Sequence, residues 1–306
     1  MFIVGPTATG KTDVAAALAQ DLKAEIVSCD AMQVYKELSL LTAKPSPGVL
    51  KTARHHLVGI VSVKENWDVV SFRKKALRAI AAIERKNKLP LVVGGSGLYM
   101  AILLDGIFEE KDKGRSLAVR ARIKSEAERL GPEALHERLK NVDPVSAAGI
   151  HAHDARRIIR ALEVFETHGT PISALKEKRQ GLWDSHDVKI FALSMDRSEL
   201  YARINARVDR IFEQGVEKEV KAIAKTKIGQ TASGVIGLKE IQMRLEGKLA
   251  LESARELIKR HTRRYAKRQL TWFRKDKRIH WITISPGEGP SSVAKRILKQ
   301  IGAEHV

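Results

Sequence analysis

At 306 residues and 43% hydrophobic content, the chain has the makings of one large soluble domain or two modest ones. Its 55 Lys and Arg against 36 Asp and Glu give a formal charge of +19, which favours a polyanionic partner over a neutral one. A single cysteine, Cys29, excludes an internal disulfide and a cysteine-rich zinc site, and no apolar run approaches the roughly 20 residues that span a bilayer, so a reducing, cytoplasmic, membrane-free setting is expected.

The chain opens on the apolar run Phe2-Ile3-Val4, continues through Gly5-Pro6-Thr7-Ala8-Thr9-Gly10-Lys11-Thr12, and then shows alanines and leucines at helical spacing from Asp13 to Leu22. This is the G-x-x-x-x-G-K-[ST] pattern of a P-loop in its confirming context between a strand and a helix, and its early position leads us to expect no targeting peptide. A second apolar run, Glu25 to Ser28, ends at Asp30. Beyond a loop holding Pro45, Pro47 and Gly48, a helix from Val70 to Lys86 leads to a strand from Leu89 to Val93, a Gly94-Gly95 turn and a helix from Leu98 to Leu104. Strands alternating with helices predict a parallel sheet covered on both faces. From about Lys111 to Asp184 the pattern becomes helix after helix, with starts marked by Pro132, Pro144, Asp154 and Pro171. A strand from Val188 to Ser194 returns to the sheet, followed by helices from Arg197 to Gly215 and Leu251 to Lys275, a last strand from Ile279 to Ile284 and a terminal helix. The expected fold is α/β: a P-loop NTPase-like parallel sheet core from residues 1–110 and 185–306, with an all-helical insertion at 111–184.

The loop carries defined chemistry. Its successive N–H groups and the following helix N-terminus form a concave anion site, Lys11 reaches the outer phosphate, and the Thr12 hydroxyl can ligate Mg²⁺. It identifies a phosphate chain and leaves the rest of the ligand unread. Asp30 sits at a strand's C-terminal end, where open α/β sheets bind ligands; a catalytic carboxylate, a Mg²⁺-holding one and a helix N-cap are all open readings. Gly94-Gly95-Ser96-Gly97 either presents N–H groups and the Ser96 hydroxyl to the same crevice or is a structural turn.

The charge is segregated. Residues 1–110 hold 14 basic and 11 acidic side chains, so residues 111–306 carry 41 and 25. Arg255 to Arg278 alone has eleven basic and two acidic residues, interleaved with Tyr265, Trp272 and Phe273. Arg156, Arg157 and Arg160 share one predicted helix, and Arg120 and Arg122 another. Such an excess is the footprint of a nucleic-acid partner, whereas the aromatics, at helical spacing, read first as core. His55-His56 and His151-Ala152-His153-Asp154 lack the partners that would complete a metal site.

In order along the chain, GPTATGKT at 5–12, SCDAMQVYK at 28–36, TAKP at 42–45, HHLV at 55–58, GGSGLY at 94–99, VRARI at 119–123, HDARRIIRALEVFETHG at 153–169, IGLKE at 236–240 and AKRQLTWFRKD at 266–276 resemble motifs of the tRNA dimethylallyltransferases, or tRNA isopentenyltransferases. The ordered combination is specific where single motifs are not. The resemblance implies transfer of a dimethylallyl group from dimethylallyl diphosphate to N6 of the adenine immediately 3′ of a tRNA anticodon, with Mg²⁺ as cofactor, in a bacterial-type enzyme; a monomer is expected. It assigns Asp30 as general base, with Ala31, Met32 and Gln33 completing a stretch that contacts tRNA. Thr7, Ala8, Thr9, Gly10, Lys11 and Thr12 match the donor-binding loop. Ser96, Arg120, the stretch Arg156, Arg157, Ile158, Ile159 and Arg160, and Gly234, Gly237 and Lys239 fall where the family handles tRNA. Arg203 and Arg207 lie where family arginines approach the diphosphate. Ala31 replaces the usual Ser, Ser96 the usual Thr, Leu238 a common Tyr, and Leu40-Leu41 interrupt a glycine-rich stretch. A P-loop kinase, an adenylate isopentenyltransferase acting on a free nucleotide, and a non-enzymatic RNA-binding protein remain as rivals.

Overall fold

The computed structural model describes residues 1–108 and 113–303. In chain order its elements are β1 (Phe2–Val4), α1 (Lys11–Asp21), β2 (Ala24–Ser28), α2 (Pro47–Thr52), β3 (His55–His56), α3 (Val69–Glu84), β4 (Leu89–Gly94) and α4 (Gly97–Asp105). Five helices follow: α5 (Lys113–Leu130), α6 (Pro132–Val142), α7 (Pro144–Gly149), α8 (Ala155–His168) and α9 (Ile172–Glu177). The chain then runs β5 (Ile190–Ser194), α10 (Arg197–Glu213), α11 (Val216–Ala222), α12 (Leu238–Leu245), α13 (Leu251–Phe273), β6 (Ile279–Thr283) and α14 (Pro290–Ala303).

The strands form one sheet in the order β3-β2-β4-β1-β5-β6, every pairing parallel. Helices cover both faces of such a sheet, so its central strands are apolar without alternation; β1 and β2 are buried throughout. Ile3, Leu18, Leu91, Phe191, Leu193 and Ile297 belong to one core cluster that joins the sheet to α1 and α14. The C-terminal ends of β1, β2 and β4 lie side by side, with Val4 opposite Gly94 and Ser28 opposite Val93. The phosphate loop, the Asp30 segment and the Gly95-Ser96 turn leave the sheet at this edge.

The chain divides into two compact units, Met1–Leu103 with Asp187–Val306, and Leu104–His186. The expected boundary between residues 110 and 111 lies outside the described residues. The second unit is helical, with Ile123, Leu135, Leu139, Ile158 and Leu162 at its core. Pro132 and Pro144 occupy first helical positions, and Asp154 caps α8 by accepting from the Arg157 N–H at 3.2 Å.

Four elements went unread in the sequence: α2, which falls in the expected loop, and β3, α11 and α12. Strand β3 is only His55-His56, paired with Ile26 and Val27 of β2. Its histidines are spent on structure: His56 Nε2 meets Glu25 Oε2 at 2.8 Å, and His55 Nδ1 meets the Ala53 carbonyl at 2.8 Å. Helices α11 and α12, of seven and eight residues, are too short to show a convincing period.

Candidate active site

The loop after β1 is shaped by backbone constraints. Gly5 has φ 137° and packs so closely that a Cβ there would lie 2.5 Å from the Leu193 carbonyl oxygen. Ala8 and Gly10 also have positive φ, 68° and 80°, which turns the chain tightly into α1, whose N-terminus no side chain caps. Thr9 donates to the Pro6 carbonyl at 2.9 Å, and Lys11 Nζ donates to the same oxygen at 2.6 Å. Gly5, Pro6 and Thr9 are buried and hold the shape; Thr7, Ala8, Gly10, Lys11 and Thr12 line a cavity of about 810 Å³.

The same cavity is lined by Asp30, Ala31, Met32, Gln33, Gly234, Arg203 and Arg207. Arg207 NH1 donates to Thr7 Oγ1 at 2.8 Å, whereas Arg203, one helical turn earlier, is held by Glu199 at 2.6 Å. Burial lowers the Arg207 pKa, and Asp30 opposes that shift. Lys11 follows the same logic: burial pulls its pKa from 10.5 to about 8, against the pull of Asp30 and with the push of Arg207.

Asp30 turns the chain through its own side chain. Its Oδ1 accepts from the backbone N–H of Met32 at 2.8 Å and Gln33 at 3.3 Å, an Asx-type arrangement that fixes the carboxylate. Oδ2 makes no hydrogen bond to a described residue. The helix N-cap reading fails, because bends and turns follow Asp30 where a helix would begin. Ser96 stands behind this corner: its Oγ accepts from the Ala31 N–H at 3.1 Å. Burial and the Asp30 charge push the Tyr265 pKa up, so the ring is a neutral wall. Burial likewise raises the pKa of Cys29, leaving its thiol inert.

Gly237 is buried at the start of α12 with φ 96°, where a Cβ would lie 2.7 Å from Leu41, so its part is to shape the chain. Lys239 is exposed. In the helical unit, Arg156 and Arg157 are exposed on the first turn of α8. Arg160 NH1 meets the buried Glu163 at 3.0 Å, and Arg120 Nε lies 3.9 Å from the same carboxylate. One expectation is corrected here: Ile158 is fully buried in the helical core, because its position on α8 points it away from the face that carries Arg156 and Arg157. Ile159 is partly buried against that core.

Tyr265 and Gln269 of α13 are among the cavity residues that the sequence reading did not assign to the site. The expected reading of the α13 aromatics as core holds for Phe273, fully buried, and not for Trp272, 38% exposed. The signal for Gln269 was available: Ala266, Gln269 and Phe273 share one buried stripe, and a polar residue there requires partners.

Among the described residues, no group of three or more His, Cys, Asp and Glu gathers as a metal site, and no helix is long and apolar enough to cross a membrane. A Mg²⁺ ion that arrives on phosphate oxygens and keeps several waters needs few protein ligands. The Thr12 hydroxyl suits that role: it lines the cavity beside Lys11 and hydrogen-bonds no described residue.

The family model described as IPP transferase matches residues 33–276. The tRNA dimethylallyltransferase of Geobacter sulfurreducens is 42% identical over 284 residues, covering 92% of this chain and 91% of the relative. Among solved structures, the tRNA isopentenylpyrophosphate transferase of Bacillus halodurans superposes with a TM-score of 0.71 at 34% identity, covering 100% of this chain and 98% of that one. A eukaryotic dimethylallyltransferase acting on tRNA gives 0.80 at 26% identity, covering 97% of this chain and 77% of that one. The chain therefore belongs to the IPP transferase family of prenyl-transferring enzymes.

Proposed function

We propose that this chain transfers a dimethylallyl group from dimethylallyl diphosphate to N6 of the adenosine immediately 3′ of a tRNA anticodon, releasing diphosphate. The observation that carries the reading is the sharing of one cavity by a phosphate loop and a carboxylate with an uncommitted oxygen. The exocyclic nitrogen is a poor nucleophile because its lone pair is delocalised into the ring. Asp30 holds N6 by hydrogen bond and takes its proton as the new carbon–nitrogen bond forms, a role worth about 10²–10⁴ in rate. The carbon–oxygen bond to the diphosphate breaks, and Lys11, Arg207 and the loop N–H groups stabilise the charge that develops on the leaving group. Mg²⁺ held by Thr12 would add Lewis-acid stabilisation of the same oxygens. Loop adenines are unpaired, so extruding one costs less than opening a duplex.

The exposed Arg156 and Arg157, with Ala31, Met32, Gln33 and Gly234 at the cavity, are the residues we assign to tRNA; Ser96 acts from behind Asp30. All residues used lie in one copy of the chain, and we propose a cytoplasmic monomer.

The test offers purified protein three mixtures: unmodified tRNA with dimethylallyl diphosphate, AMP with dimethylallyl diphosphate, and ATP with small-molecule acceptors. The expected result is diphosphate release and a five-carbon mass gain on tRNA only. Gain on AMP alone would select the free-nucleotide transferase, and ATP turnover the kinase.

A further inference from the structure

Strands β1 and β4 stop pairing at Val4 and Gly94, just where the phosphate loop and the Gly95-Ser96 turn begin. Beyond that point a side chain continues the connection. Gln269 is 5% exposed; its Oε1 accepts from the Thr7 N–H at 2.9 Å and its Nε2 donates to the Gly95 carbonyl at 2.8 Å. Each half of this bridge continues into a substrate-facing group. On one side Thr7 Oγ1 accepts from Arg207. On the other, Ser96 follows Gly95 and holds the Ala31 N–H next to Asp30. Space is fitted to the amide as well: a Cβ on Gly95 would lie 2.2 Å from Nε2. One turn along α13, Trp272 packs on Gly97, where a Cβ would lie 2.1 Å from its ring, so the helix is anchored to the turn at two points.

On the functional reading given above, we infer that Gln269 is a positioning residue that fixes the separation between the leaving-group cradle and the Asp30 corner. The task needs one acceptor and one donor on a single planar head at this reach. Asn is too short, and ionised Glu can accept from Thr7 but presents a second acceptor to the Gly95 carbonyl. Displacing one half-site against the other by about 1 Å costs about 100-fold in rate without removing any contact to either substrate.

The test measures tRNA prenylation by wild type, Gln269→Met and Gln269→Glu, with thermal unfolding as the check on folding. Gln269→Met, nearly isosteric and without polar atoms, is expected to lose about 100-fold in kcat, while the KM for dimethylallyl diphosphate and the Kd for tRNA stay within about threefold. Gln269→Glu is expected to be as impaired at neutral pH and to recover relative to wild type as pH falls, because a protonated carboxyl donates to Gly95 and burial raises its pKa. Should Gln269→Met not fold, the pH series on Gln269→Glu decides alone. A folded variant with kcat within about threefold of wild type, a loss confined to KM, or a Gln269→Glu to wild-type ratio flat with pH would overturn the inference. Wild type inactive on tRNA would overturn the functional reading and this inference with it, whereas active wild type with unaffected variants overturns the inference only.

Discussion

Strand β2 has a carboxylate near each end, and the protein uses the two in opposite ways. At the N-terminal end Glu25, 2% exposed, is surrounded by His56 at 2.8 Å, Lys86 at 3.2 Å and Lys88 at 3.1 Å. Burial alone would raise its pKa, but the hydrogen bonds from His56, Lys88 and Lys86 outweigh it and bring it from 4.5 to about 2. Just past the C-terminal end, Asp30 receives only backbone N–H groups on one oxygen, and it lines a cavity together with Lys11 and Arg207. A carboxylate saturated by side-chain cations holds a fold together. One oriented by its own turn, with an oxygen uncommitted, is available to take a proton. The functional group is the same; the partners decide the role.

Breaking the C-terminal member should have the largest effect. Asp30→Asn keeps the shape and the acceptor for Met32 and Gln33 while losing basicity, so kcat should fall about 10²–10⁴-fold with tRNA affinity and thermal stability retained. Steady-state turnover beside a filter-binding titration measures both, and unchanged turnover would remove Asp30 as the base. Lys11→Ala acts on the other wall of the cavity. It should lower kcat/KM for dimethylallyl diphosphate about 100-fold and leave tRNA binding alone; donor binding equal to wild type would show that the loop does not hold the diphosphate.

A gentler perturbation is pH. Lys11 in the free protein is protonated below about 8, its lowered pKa, and neutral above it. Donor affinity should therefore be steady below that value and weaken as pH rises, by about tenfold between about pH 7 and about pH 9, as read by calorimetric titration. A flat profile would mean that the lysine charge contributes nothing.

The smallest effect on turnover belongs to the other end of the strand. Glu25→Gln should leave kcat within about twofold and cost about 1–3 kcal/mol of stability in denaturant unfolding, toward the low end because Lys86 and Lys88 are partly exposed and regain water. The pH sign is also defined. Since the folded-state pKa of Glu25 is depressed, its contribution is fully present above about 4.5 and lost as pH falls toward about 2. Loss of turnover without loss of stability in this variant would reverse the contrast between the two carboxylates.

The sequence made the catalytic edge legible because its signals are local. A P-loop is defined by spacing, β1, β2 and β4 are apolar runs since both sheet faces are covered, and Asp30 follows one of those runs directly. The structural end was not legible: β3 is two histidines with no alternation to read, and Glu25 sits in a buried strand with partners 31, 61 and 63 residues away. Ile158 was misplaced for a different reason, since a contiguous motif on a helix presents successive residues to different faces. Gln269 lay within a motif that was read as basic, and only its partners at Thr7 and Gly95, 262 and 174 residues distant, distinguish it.

The central claim is that Asp30 and the phosphate loop act on one exocyclic amine and one diphosphate in the same cavity. It is tested most directly with two tRNAs that differ at one base, adenine or purine lacking the 6-amino group, immediately 3′ of the anticodon. Each is incubated with protein and dimethylallyl diphosphate, digested with nuclease and mapped by mass. The account predicts a single five-carbon gain at that position with adenine and none with purine. Equal gain on both tRNAs, or none on either with folded protein, would contradict it.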